Sequence, residues 1–176
     1  KHYTVIGGGN SVLYGEAYSF TLVSETGYNV PQVEVSTNDG GSYETLTPNG
    51  DVYVVTNVTA NLKIKITETG KQKFPVTFST GTGYHFTDSE GGEISSSVEA
   101  AYGESYSFKL VLNEGYTDSQ AQVFVNNVLC TPSEGTYTIT NIREATLVTV
   151  SGISRNSYTM TLTGAEGAAL STSQSS

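Results

Sequence analysis

The sequence predicts an all-β protein built from two small tandem β-domains and one extra strand at the C-terminal end. Residues 14–28 return as residues 102–116, an offset of 88 residues, with ten of the fifteen positions identical. A match this dense at a fixed offset indicates one module built twice. Short segments that alternate apolar and polar residues are separated by turn residues, and no segment shows a sustained helical period.

The duplication sets the predicted domain boundaries. Residues 1–70 form the first module, residues 71–153 the second, and residues 154–176 the extra strand and a polar tail. Modules of this size lie near the lower limit for a self-sufficient core, and Cys130 is the only cysteine, so disulfides cannot supplement it. We therefore expect neighbouring modules to support one another across a short polar junction.

In the first module, strands are predicted wherever apolar residues recur at every second position. The clearest case places Tyr18, Phe20 and Leu22 on one face of a strand. Glycines 7–9 end the strand before it, because their backbone entropy opposes regular structure. A segment at 63–66 alternates lysine with isoleucine, which is typical of a protected sheet edge. The other predicted strands begin near residues 2, 33 and 53.

The second module repeats this order. Two asparagines, Asn126 and Asn127, follow an apolar segment and tolerate positive φ, which predicts a tight hairpin. The predicted strands cover residues 74–78, 84–86, 106–112, 123–125, 137–139 and 147–150.

The two modules differ at their first strand. Residues 157–164 resemble residues 74–81, the first strand of the second module, whereas the first module begins at a segment like residues 84–86. The chain therefore lacks a first strand at its start and carries a spare one at its end. If another copy supplies the missing strand, the donating side chains would be Tyr158, Met160 and Leu162.

The charge pattern excludes some partners. Acidic residues exceed basic ones by 17 to 8, and the excess is spread evenly over both modules. Nucleic acid and anionic membrane surfaces need clustered Lys and Arg, so we expect neither partner. There is no apolar segment of membrane-spanning length, and the abundance of Ser, Thr, Gly, Asn and Tyr favours an extracellular location.

The residues offer little for catalysis or cofactor binding. There are two histidines, His2 and His85, and no nucleophile motif, phosphate-binding loop or zinc spacing. The acidic loop at residues 88–93 lacks the pattern of a calcium loop, and we interpret it as a solvated turn. Glu16 and Glu104 recur before the repeated strand, where we expect them to satisfy turn amides or face solvent. We expect neither an enzyme nor a cofactor.

The twelve tyrosines invite a carbohydrate-binding interpretation, because aromatic rings stack on sugars. Ten of them fall at equivalent positions of the two modules and are assigned to the framework. Tyr43 and Tyr158 stand outside these pairs, and Tyr43 is the candidate for an exposed contact.

The second module also resembles a known family. Its order of Tyr-Gly-Glu, an alternating strand, Glu-Gly-Tyr, Val-Phe-Val-Asn-Asn and Gly-Thr-Tyr-Thr-Ile-Thr-Asn-Ile is similar to divergent internalin-type B-repeat modules of bacterial surface proteins. The resemblance implies a secreted or cell-wall-exposed module, usually in tandem. It favours an immunoglobulin-like sandwich, with a helix-poor β-grasp unit as the alternative.

Three functions follow as expectations. The leading one is a non-enzymatic structural stalk of a bacterial surface protein, in contact with neighbouring modules. The alternative is a filament subunit that donates residues 157–164 to an identical subunit, head to tail. The third is an adhesin module that binds a glycan or a host protein.

Overall fold

The computed structural model describes residues 1–161 and 163, and every regular element among them is a β-strand. This confirms the all-β prediction. The strands are β1 Tyr3–Gly7, β2 Tyr18–Ser24, β3 Gln32–Ser36, β4 Glu44–Thr45, β5 Val52–Val55, β6 Lys63–Thr67, β7 Lys73–Phe78, β8 Tyr84–Asp88, β9 Glu93–Ile94, β10 Ser97–Ala101, β11 Tyr106–Leu112, β12 Gln122–Val125, β13 Val128–Cys130, β14 Tyr137–Ile139 and β15 Thr146–Ser151.

Residues 1–70, called the first repeat below, form two three-stranded sheets. Their strand orders are β1-β2-β5 and β4-β3-β6. Alternation along β2 buries Phe20 and Leu22, which pack with Val33 of the other sheet and with Tyr53 of β5. The edge protection predicted for Lys63 and its neighbours is consistent with β6 lying at the end of its sheet.

Residues 71–153, the second repeat, form two larger sheets with orders β14-β11-β8-β9 and β10-β7-β15-β12-β13. A core fills the space between them, and its centre is aromatic. The Phe78 ring lies 4.9 Å from that of Phe86 and 5.1 Å from that of Phe108, in tilted and edge-on arrangements typical of aromatic pairs. Strand β7 lies inside its sheet, because it pairs in parallel with β15 and antiparallel with β10.

The hairpin predicted at Asn126 and Asn127 is confirmed. Val125 and Val128 are paired across β12 and β13, and the two asparagines have φ values of 47° and 65°. Two consecutive residues with positive φ are typical of the type I′ turn, whose twist matches that of the strands.

Strand pairing shows how the two repeats correspond. β1, β2, β3, β5 and β6 take the places of β8, β11, β12, β14 and β15. Among the described strands, β7, β9 and β10 have no counterparts in the first repeat. The absence of a first strand was predicted; β10 was not predicted, and residues 9–13, which are equivalent to it, form no strand.

The tail leaves the second repeat after β15. Residues 152–161 are assigned to no strand, so the predicted extra strand has no paired neighbour within the described part of the chain. Tyr158 is 84% exposed and Met160 is 79% exposed. Leu162, the third candidate for strand donation, lies outside the described residues.

Candidate functional site

A groove of about 920 Å³ opens on the first repeat, and we call it the acceptor groove. One wall consists of residues 9–12 and the other of residues 58–62 with Ile64; Tyr14, Tyr18 and Asp39 also line it. Val12, Leu62 and Ile64 pack against a small cluster of buried valines, so the groove is apolar at its base.

The second repeat has a strand in the equivalent place. There β7 pairs along β15, with Val76 opposite Thr146 and Phe78 opposite Val148. Val148, beside it in the same sheet, is completely buried, whereas its counterpart Ile64 is only half-buried. The acceptor groove is therefore the place that a first strand fills when one is present.

The other wall of the groove reflects the same difference. In the second repeat, β10 pairs with β7 over its whole length, from Ser97 opposite Thr77 to Ala101 opposite Lys73. Residues 9–13, at the equivalent positions, form no strand. Backbone amide and carbonyl groups in a strand need hydrogen-bond partners. Because residues 9–13 pair with no described strand, their backbone groups along one edge of the groove are open to a partner.

A specific set of contacts joins the two repeats. The Gln72 amide donates to the Gly27 carbonyl at 2.8 Å, and the Tyr102 amide donates to the Gln72 carbonyl at 2.8 Å. The Tyr102 ring lies directly over Gly27, where a Cβ would stand 2.1 Å from the ring carbon Cδ1. Gly27 also has φ +85°, so both its backbone and its neighbour require glycine.

Charged groups surround this junction. Lys71 Nζ lies 3.3 Å from Glu104 Oε1, and the Arg143 guanidinium lies 5.4 Å from the Tyr102 ring centroid. Glu104, which is expected to satisfy turn amides or face solvent, is exposed and pairs with the linker residue Lys71. Both partners are exposed, so the pair contributes orientation more than stability.

The linker geometry recurs at the end of the second repeat. The Asn156 amide donates to the Gly115 carbonyl at 2.8 Å, as Gln72 does to Gly27. Gly115 has φ +79°, but apart from its two neighbours in the chain no described residue lies within 4 Å of a Cβ placed there. This bond sets an offset of 84 residues, so Tyr158 corresponds to Phe74, one residue away from the alignment that the sequence suggested.

Tyr14 is the exposed counterpart of Tyr102. It is 84% exposed, whereas Tyr102 is half-buried against Gly27. The sequence assigned both to the framework because they occupy equivalent positions. Their different surroundings, like those of Gly27 and Gly115, depend on which module lies next to each residue. The alignment of the two repeats does not predict this.

The other residues singled out in the sequence lie away from the groove. Tyr43 is 42% exposed, just before β4, and does not line it. Asp88 accepts hydrogen bonds from the amides of Glu90 and Gly92, so it stabilises its own turn. The His2 ring stacks on Tyr28 at 3.8 Å between centroids.

Among the described residues, few side chains could bind a metal ion or take part in a reaction. Within residues 1–161 and 163, no cluster of three or more His, Cys, Asp or Glu side chains could hold a metal ion. Burial raises the pKa of the Tyr53, Tyr106 and Tyr137 hydroxyls above the ordinary value. These three side chains belong to the β-sheets, and the shift reflects packing.

No protein-family model, curated protein or solved structure matches this chain. The part of the chain that the structure describes contains no helix long and apolar enough to cross a membrane.

Proposed function

We propose that the chain is a non-enzymatic structural segment of a secreted or cell-surface bacterial protein, in which tandem β-modules stack into a stalk. The observation that carries the proposal is the repeated linker bond, Gln72 to Gly27 and Asn156 to Gly115. The chain leaves both repeats with the same local geometry. Modules that are joined in the same way each time build a regular linear array.

The junction supports a stiff array. The linker between the β6 and β7 strands is short, and its backbone is tied to both repeats through Gly27 and Tyr102. A ring packed on a glycine fixes the approach of one module to the next more closely than exposed ion pairs would. The resemblance to internalin-type repeats, which led to this expectation from the sequence, points to the same role and to an extracellular location.

Single-molecule extension of the chain between two marker domains tests the stalk role. We expect two unfolding events with similar gains in length, because an extended chain spans about 3.4 Å per residue, or roughly 240 Å for the first repeat and roughly 280 Å for the second. One event of roughly 520 Å would show a single cooperative unit and would contradict a stack of separable modules.

A filament subunit is the second candidate, and the acceptor groove favours it. The groove stands where β7 stands in the second repeat, and the exposed tail carries a strand-like sequence. Electron microscopy of the intact chain and of a chain ending at residue 156 tests polymer formation. Filaments that persist without the tail, or that never form with it, would contradict this candidate.

The adhesin alternative has weaker support. Tyr43 is exposed, but it lies apart from the groove and the junction. A glycan or host protein bound there stays a prediction, which Tyr43→Ala tests on a glycan or host-protein array: binding that is lost while stability is kept would support it.

A further inference from the structure

We propose that the acceptor groove binds residues 157–161 of a second copy of this chain, and that Tyr14 of the receiving copy packs on Gly115 of the donating copy. The inference goes beyond the stalk role. It deepens the filament candidate, on which it rests, by naming the register and the contacts of the joint.

The first support is the match between donor and groove. The linker alignment places Met160 at the position of Val76 and Tyr158 at that of Phe74. Val76 is completely buried in the second repeat, and Phe74 packs at the edge of its core. The intervening Thr159 corresponds to exposed Pro75, so the tail has the apolar and polar alternation that the groove accepts.

The register follows from the pairing of β7. Val76 lies opposite Thr146 of β15, whose counterpart in the first repeat is Leu62 of the groove wall. Met160 of the donor would therefore lie beside Leu62 of the acceptor, in a parallel pair along β6. On its other side the donor would run antiparallel to residues 9–13, as β7 does to β10. Strand addition of this kind supplies backbone hydrogen bonds to both unpaired edges.

The second support is delivery of the donor strand. In the chain itself, β7 begins directly after Gln72, which is bonded to Gly27. The tail begins directly after Asn156, which is bonded to Gly115 in the same way. The donor segment thus leaves the second repeat from the place where a following module would stand.

The third support is the open half of the junction. Gly27 is covered by the Tyr102 ring, whereas no residue in the described ranges covers Gly115. The exposed Tyr14 begins the same Tyr-Gly-Glu sequence as Tyr102. Docked like Tyr102, Tyr14 of one copy would seat its ring on Gly115 of another.

Charge fits the same arrangement. Lys71 pairs with Glu104 across the internal junction, and the equivalent positions hold Arg155 and Glu16. An opposite pair would therefore meet at the joint between two copies. If two copies are arranged as the two repeats of one chain are, the filled groove, the ring on Gly115 and the ion pair all form together. This contact joins different surfaces of the two copies, so further copies add in a line and the assembly does not close into a ring.

Analytical ultracentrifugation over a range of concentrations to about 1 mM tests the joint, because association in that range is still measurable. The buffer should contain about 0.15 M salt, which screens the net charge of −9. We expect dimers and longer chains of copies whose proportion rises with concentration.

Met160→Asp and Thr159→Asp form a matched pair for the donor. Both add one charge to an exposed tail position, so neither should affect folding. Burying an unpaired carboxylate beside Leu62 should weaken association by at least tenfold in Met160→Asp, while Thr159→Asp, whose side chain would face solvent, should weaken it by less than threefold.

Charge reversal tests the junction contact. Glu16→Lys or Arg155→Glu alone should weaken association about three- to fivefold, the range of an exposed ion pair, and the double variant should restore it. A chain that stays monomeric at every concentration, equal losses in the two donor variants, or no rescue by the double variant would each overturn the proposal. The extension experiment on single molecules would still decide the stalk role separately.

Discussion

The substitution Gly27→Ala measures how strongly the junction holds the two repeats together. Gly115→Ala is its matched control, because the two glycines share a positive φ, +85° and +79°, and an equivalent place in the repeat. They differ in what the new methyl group meets: Tyr102 at Gly27, and at Gly115 no described atom within 4 Å other than those of the adjacent residues.

The geometry gives the size of the effect. An alanine with positive φ costs about 1–2 kcal/mol at either position. At Gly27 the methyl group would also stand 2.1 Å from Cδ1 of Tyr102, well inside the carbon–carbon contact distance of about 3.5–4.0 Å. The ring must move by about 1.5 Å, and forced overpacking of this kind costs about 1–3 kcal/mol more. We expect a total loss of about 2–5 kcal/mol for Gly27→Ala.

Urea denaturation, monitored by far-UV circular dichroism in the dilute range where the chain is monomeric, gives the free energy of unfolding of each of the two variants. A double-mutant cycle with Tyr102→Ala isolates the clash, because Gly27→Ala should then cost no more than Gly115→Ala. Equal losses in the two single variants, or a full extra loss at Gly27 without the Tyr102 ring, would refute the reasoning.

Three further outcomes follow from the packing. Val148→Ala, which empties core space beside β7, should cost roughly 2–3 kcal/mol in urea denaturation, whereas Ile64→Ala removes more atoms yet should cost roughly half as much, because its side chain already faces the groove; a larger loss at Ile64 would contradict the open groove. Burial raises the pKa of Tyr53 and Tyr137 above 10.0, so the neutral hydroxyls stabilise the fold below that pH, and we expect a melting temperature that falls as the pH rises past about 10; a melting temperature that stays constant through that range would contradict it. Asn127→Gly keeps the positive φ of the hairpin and should raise stability by a few tenths to 1 kcal/mol, whereas a loss in thermal melting would show that the asparagine side chain matters.

The sequence predicted elements that depend on local pattern. Alternation located β2 and β11, and the two asparagines located the hairpin between β12 and β13. The repeat frame also predicted that the first repeat has no counterpart of β7, because a duplicated pattern shows a missing piece by comparison.

What the sequence did not predict depends on neighbours. β10 was not predicted. Residues 9–13, at the equivalent positions, form no strand, since the partner that would pair with them is absent from the described residues. Tyr14 and Tyr102 share a sequence context but differ in exposure, because in the described structure the Tyr102 ring packs on Gly27 of the other repeat. The acceptor groove thus depends on which strands, distant in sequence, pair with one another. The periodicity of apolar residues within one segment does not predict such pairing.

The parallel pairing of β7 with β15 has a mechanical consequence. β7 opens the second repeat and β15 closes it, so tension on the two ends pulls the strands in opposite directions along their length. The hydrogen bonds between them are then sheared together and must break at the same time. When strands are peeled apart from one end, by contrast, the bonds break one after another. The first repeat lacks this clamp unless a donated strand supplies it, so it should yield at the lower force.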